Sequence, residues 1–204
     1  MPDKNDPNYY GLHENAAISS AIFDTNFIIN LVLQVDQGSG SADGKGRSKE
    51  LMNSVKQILK QVPPLFDLKE AKEKHPISYH ESMNTVLAQE ILRYNNLISL
   101  IKKTLEDLKL ALDGQIIMSE VLETMADSIL INQIPDIWKK SSFASLKNLG
   151  RYIIDLLDRV AMFKSWMDHG VPLVFWVSGF FFTQSFFTGV LQNYARKNDI
   201  PIDK

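Results

Sequence analysis

Apolar positions recur with helical spacing along most of the chain, most clearly between about Ser82 and Leu112. Leu87, Tyr94, Ile101 and Leu108 return every seven residues, and Ile91, Ile98, Leu105 and Leu112 follow four positions behind. Such a heptad seam predicts one long helix with a buried face. Ser78 and Glu81 are spaced as a capping box ahead of it, and Gly114 stands where a left-handed C-cap is expected. Leu92, Leu97, Leu100 and Leu110 widen the apolar surface. That width favours a core helix of an intramolecular bundle over the narrow seam of an oligomerising coiled coil.

The remaining pattern is also helical. Residues 16–35 are apolar with an ambiguous period; Ile28, Ile29, Val32 and Val35 suit a buried strand, but the length favours a helix. Residues 38–46 form a glycine-serine stretch, expected as a mobile loop. Leu51, Val55, Ile58 and Leu59 mark an amphipathic helix over 49–61, stopped by Val62-Pro63-Pro64. A shorter helix is expected from Ser119 to about Leu130, limited by Pro135. Ser145 suits the N-cap of another long helix. Its buried stripe reads Leu146, Leu149, Ile153, Leu156, Val160, Phe163 and Met167, and Gly170 and Pro172 end it. The last helix is expected over 183–197, with Phe187, Val190, Leu191 and Tyr194 inward. No pair of strands joined by a hairpin signal appears. The expectation is therefore an all-α fold of about six helices in one compact, bundle-like array.

Composition narrows the function classes. The chain has 204 residues, 45% hydrophobic and 23% charged, with a net charge of −2. That is a globular composition with no basic excess for nucleic acid or an anionic membrane. There are no cysteines, so disulfides, zinc-thiolate sites and thiol nucleophiles are excluded together. The first residues are polar and lack a signal-peptide core. The most apolar run, 171–182, is too short as a helix at about 1.5 Å per residue for a bilayer core of roughly 30 Å. A buried segment is the favoured reading.

Searches for chemistry return little. A phosphate loop needs G-x-x-x-x-G-K-[ST]. Before Gly44-Lys45 the spacing is three residues from Gly40 and five from Gly38, and Gly46 stands where the hydroxyl is required. His13, His75, His80 and His169 are scattered, and His75 and His80 lie five apart across a proline, not at i, i+4. Surface or capping roles suit them better than a metal site. No serine sits in a nucleophile elbow. Asp155 and Asp158 beside Arg151 and Arg159 read as solvated helix pairs such as Arg151–Asp155. No catalytic, cofactor-binding or metal-ligating residue is identified.

What stands out is aromatic density: Phe175, Trp176, Phe180, Phe181, Phe182, Phe186 and Phe187. Core packing is the plain reading. Interface anchors are also rich in aromatics, and Ser178-Gly179 permits close backbone approach, so these residues form the candidate docking surface.

Several segments resemble one family in collinear order. Gly11-Leu12-His13-Glu14-Asn15-Ala16 resembles the junction in dynein heavy chains after the sixth AAA+ module. Residues 84–95 (NTVLAQEILRYN) are similar to a helix of that family's C-terminal region. Leu112-Asp113-Gly114, Met118-Ser119, residues 134–138 (IPDIW), 172–182 (PLVFWVSGFFF) and 188–197 (TGVLQNYARK) continue the series. The phenylalanine-rich segment and the final stretch look axonemal in type. Thr183 stands where proline is usual, and Tyr152 where tryptophan is common.

The resemblance implies an ATP-driven, minus-end-directed microtubule motor of the ciliary or flagellar axoneme, within the cytoplasm and cytoskeleton. Residues 1–16 would be the junction from the last AAA+ module, and 17–204 the helical part of the C-terminal domain, with a mobile loop at 37–48. The family's sequence continues into β-rich material, so Lys204 is expected to be a fragment's end. The implied role is non-catalytic: a structural or regulatory brace on the intramolecular AAA+ ring. ATP and magnesium would be bound elsewhere in the motor, and dynein intermediate and light chains and microtubules would engage other regions. No cofactor, nucleic acid or membrane is expected at this fragment. The residues alone leave a second reading open, a free-standing helical interaction module that dimerises through the heptad face.

Overall fold

The heptad pattern produces the helix that organises the fold. A computed structural model of the protein describes residues 44–201 and isolated positions between 18 and 29. The chain divides into two units, Met1–Arg47 and Ser48–Lys204. In the first, the described positions 18, 19, 21–23, 25, 26 and 29 are helical, and Thr25 Oγ1 donates to the Ala21 carbonyl at 2.7 Å. Residues 30–43, including most of the glycine-serine stretch, lie outside the described residues.

Seven α-helices follow among the described residues: α1 Gly44–Gln61, α2 Leu68–Lys74, α3 Ser82–Leu112, α4 Glu120–Leu130, α5 Asp136–Lys139, α6 Leu149–His169 and α7 Thr183–Lys197. There is no strand among the described residues beyond an isolated bridge between Ser78 and Glu81. The all-α expectation holds. The loop expected at 37–48 does not extend that far, because Gly44–Ser48 already belongs to α1.

Helix α3 is the hub, with α2, α4, α5, α6 and α7 all lying against it. Leu87, Ile91, Tyr94, Ile98, Ile101, Leu105 and Leu108 of the seam are buried, as is Leu97. They share one core with Val55 of α1, Met125 of α4, Trp138 of α5 and Tyr152, Leu156 and Phe163 of α6. Burying each such side chain stabilises the fold by about 1.5–3 kcal/mol. The seam is thus internal to one chain, and it is not available as the dimerising face of the second reading.

Most polar groups described inside this core have partners, as buried donors and acceptors require, the Trp166 indole N–H being an exception. Asn95 reaches across to the connection before α2, accepting from Phe66 N at 2.8 Å and donating to Phe66 O at 2.9 Å. Trp138 Nε1 donates to Thr104 Oγ1 at 2.9 Å.

Helix ends show where local reading succeeds and fails. Gly114, with φ +74°, closes α3. Gly114 N bonds Ala111 O and Gln115 N bonds Leu110 O, the pair of bonds of a Schellman motif. The N-cap of α3 is Glu81, which accepts from Met83 N; Ser78 instead bonds His80 N in the preceding turn, so the expected capping box does not form. Likewise Asn148, not Ser145, caps α6 by accepting from Arg151 N. Leu146 therefore lies ahead of the helix, where it is 97% exposed, while the rest of the expected stripe is buried. Asn148 takes the extended backbone of an N-cap, while Ser145 Oγ accepts from Lys147 N in the loop ahead.

Candidate docking surface

The aromatic segment begins where α6 stops. Gly170 takes φ +86°, a conformation that strains any residue with a Cβ, and turns the backbone out of the helix. Residues 171–182 are irregular apart from a single 3-10 turn, Val177–Gly179. The apolar run is not a helix, and no helix among the described residues is long and apolar enough to cross a membrane.

Three buried polar side chains hold this segment by its backbone. Tyr94 of α3 donates its hydroxyl to Gly179 O at 2.6 Å. Arg159 of α6 donates from Nη1 to Ser178 O at 2.6 Å. Glu90 of α3 accepts from Phe181 N at 2.7 Å, from Phe182 N at 3.3 Å and from Arg93 at 2.8 Å. Arg159 also pairs with Asp155 at 3.1 Å and lies over the Phe143 ring at 3.8 Å and the Trp176 ring at 5.1 Å.

The solvated Arg151–Asp155 pair expected from helical spacing does not form. Asp155 is buried and binds Arg159 and Lys147, while Arg151 is exposed. Burial pushes the Tyr94 phenol up, with Arg159 working against it. Burial likewise pushes Tyr152 up to about 12, opposed by its hydrogen bond with Ser142.

The seven aromatics divide between core and surface. Phe180 and Phe186 are buried, their ring centroids 4.7 Å apart, and Phe180 meets Phe163 edge-on at 5.3 Å. Phe175 and Phe181 are half-buried; Phe175 packs on Trp166 at 5.2 Å and Phe181 on Tyr94 at 4.6 Å. Trp176, Phe182 and Phe187 are 39%, 46% and 51% exposed.

Helix α7 reverses the expected orientation. Phe187, Val190, Leu191 and Tyr194 are exposed, and the buried residues are Phe186, Gly189 and Ala195. The reason is steric and polar. At Gly189 a Cβ would stand 3.0 Å from Val86 Cγ2 and 3.3 Å from Met83 Sδ, so α3 and α7 approach closely there and any larger residue would push these side chains back. Beside it, Asn193 Oδ1 accepts from Ser82 N at 2.8 Å and Gln192 Oε1 from Ser82 Oγ at 2.8 Å. Arg196 donates to Ser82 Oγ at 2.6 Å. With small and polar residues inward, the i, i+3, i+4, i+7 apolar stripe faces out. Leu173 and Val174, near-fully exposed, add to the apolar surface of the connection before it.

Sequence reading missed Glu90, Arg159 and Asn193. A signal exists for Glu90, which lies three residues after Leu87 and four before Tyr94, on the buried side of the seam. The histidines are not brought together. His75 caps α2 and its Nε2 lies 3.1 Å from Met167 O, while His80 and His169 are exposed. His13 is outside the described residues.

Fold and surface together define an all-α module that presents an apolar, largely uncharged face. The family model for the C-terminal domain of dynein heavy chains matches residues 21–204. The protein is 44% identical over 204 residues to mouse dynein axonemal heavy chain 12, and 44% identical over 203 residues to mouse dynein axonemal heavy chain 3. It is also 44% identical over 203 residues to rat dynein axonemal heavy chain 1. All of the present sequence is covered in each case, but it spans only 7%, 5% and 4% of those proteins. It belongs to the family of C-terminal domains of dynein heavy chains.

Proposed function

We propose that this protein is a non-catalytic structural module of an axonemal dynein heavy chain, an ATP-driven, minus-end-directed microtubule motor of cilia and flagella. Its task is to pack against the AAA+ ring of the same polypeptide through the apolar face of α7 and the aromatic connection before it. ATP and magnesium bind elsewhere in that motor. Intermediate chains, light chains and microtubules engage other regions, in the cytoskeleton of the axoneme.

The observation that carries this reading is the outward stripe of Phe187, Val190, Leu191 and Tyr194, with Trp176 and Phe182 exposed nearby in the sequence. Contiguous apolar surface rimmed by polar residues marks an interaction site, and membership of the family supplies the partner. A photo-crosslinking residue at Leu191 of the intact motor polypeptide tests it. Crosslinks should land on the ring modules of the same polypeptide. Crosslinks confined to other proteins, or none in the assembled motor, would discard the reading.

A further inference from the structure

We infer that α7 forms a latched flap: a unit fastened to α3 by polar clasps, able to open while its lead-in 177–182 and the main core stay folded. The flap carries the docking stripe of the proposed function, so its role there rests on that reading, but its ability to open does not.

The attachment of α7 differs from that of α3 and α6. Only Phe186, Gly189 and Ala195 of its residues are buried, against ten residues of α6 and fourteen of α3. The one large core contact of α7 is Phe186, on Phe180 at 4.7 Å and Phe175 at 4.9 Å, and its polar attachments lie at its two ends. At the first end, the Glu90 carboxylate accepts from Phe181 N and Phe182 N, donors just ahead of a helix that has no side-chain cap of its own. A buried carboxylate from another helix thus anchors the backbone that enters α7, at the positive end of its dipole. At the second end, Ser82 bonds Gln192, Asn193 and Arg196, Asn193 also donates to Glu81, and Arg196 lies over the Tyr79 ring at 4.2 Å. Between the clasps, Gly189 lets the two helices approach closely, against Val86 and Met83.

Regions with few buried apolar contacts and many exchangeable polar ones open at lower free energy than the global transition. The centre of the heptad seam packs with residues of α1, α4, α5 and α6 in the shared core, to which α7 adds only Phe186. Opening α7 uncovers Met83 and Val86, at the start of α3, and the Phe180 ring, and leaves Ile98, Ile101 and Leu105 covered.

Hydrogen exchange on the 204-residue protein tests the latch without any partner. Amides of Gly189–Ala195 should exchange at least about tenfold faster than those of Ile98–Leu105. Glu90→Gln and Asn193→Ala, one at each clasp, should each speed α7 by roughly a further tenfold while leaving the centre of α3 unchanged. If Glu90→Gln does not fold, Asn193→Ala alone gives the answer. Exchange of α7 in step with α3 in the unaltered protein overturns the inference. So does a variant that accelerates every helix equally, or leaves α7 unmoved. Because no ring is present, loss of the latch and loss of ring docking are separate results.

Discussion

Arg159 joins three parts of the molecule at one guanidinium: Asp155 on its own helix, the Ser178 carbonyl of the aromatic connection, and the faces of Phe143 and Trp176. Only a planar, multi-donor cation fits all of these together. Arg159→Lys keeps the charge but loses the fork and the stacking. It should lower stability by about 2–4 kcal/mol, read as a lower urea midpoint with unchanged slope. A loss under about 0.5 kcal/mol would show that the network is dispensable.

Tyr94 and Tyr152 give a second test at this scale. Burial raises both phenols above the ordinary 10.0, Tyr152 to about 12. The folded protein therefore keeps protons that the unfolded form releases. Their contribution to stability is full below pH 10 and is lost as the pH rises through the folded-state values, that of Tyr152 lying at about 12. Denaturant midpoints taken at steps up to that pH should fall above pH 10, and Tyr152→Phe should flatten part of the decline. A flat profile would mean that these phenols ionise freely.

Among the elements, α3 and α7 give opposite lessons. Ile98 and Leu105 are fully buried within one chain. Making both polar should abolish the cooperative transition rather than release a folded monomer, as circular dichroism and light scattering together would show; a folded monomeric variant would restore the dimer reading. The seam of α3 is legible in the sequence because every position on it meets apolar neighbours, so periodicity reports burial directly. In α7 periodicity misleads. Its inner face rests on Gly189, Asn193 and a distant serine, residues that leave no trace in a hydrophobic pattern. Glu90 and Arg159 stay hidden for a related reason: their main partners are backbone groups from a remote stretch of sequence, which no local spacing announces. The candidate aromatics stand out as a group, but their division into core and surface needs the fold.

For the whole molecule, the exposed stripe sets the behaviour of the isolated protein. Phe187→Ser with Leu191→Ser should leave thermal stability within about 0.5 kcal/mol, since neither side chain is buried. The same pair should reduce binding of a hydrophobic dye and any concentration-dependent association. A substantial loss of stability would instead place these residues in the core.

The hub arrangement also has a consequence in time. Synthesis delivers α3 well before its largest partner: about 60 residues separate Leu112 from the end of α6 at His169, several seconds of elongation at roughly 5–20 residues per second. Through that interval the part of the heptad stripe that α6 will cover is bare on the nascent polypeptide. Neighbouring ribosomes on one message then hold identical, uncovered seams within reach of each other. Chaperone occupancy should peak as α3 clears the exit tunnel and fall once Phe163 and Trp166 arrive to cover it.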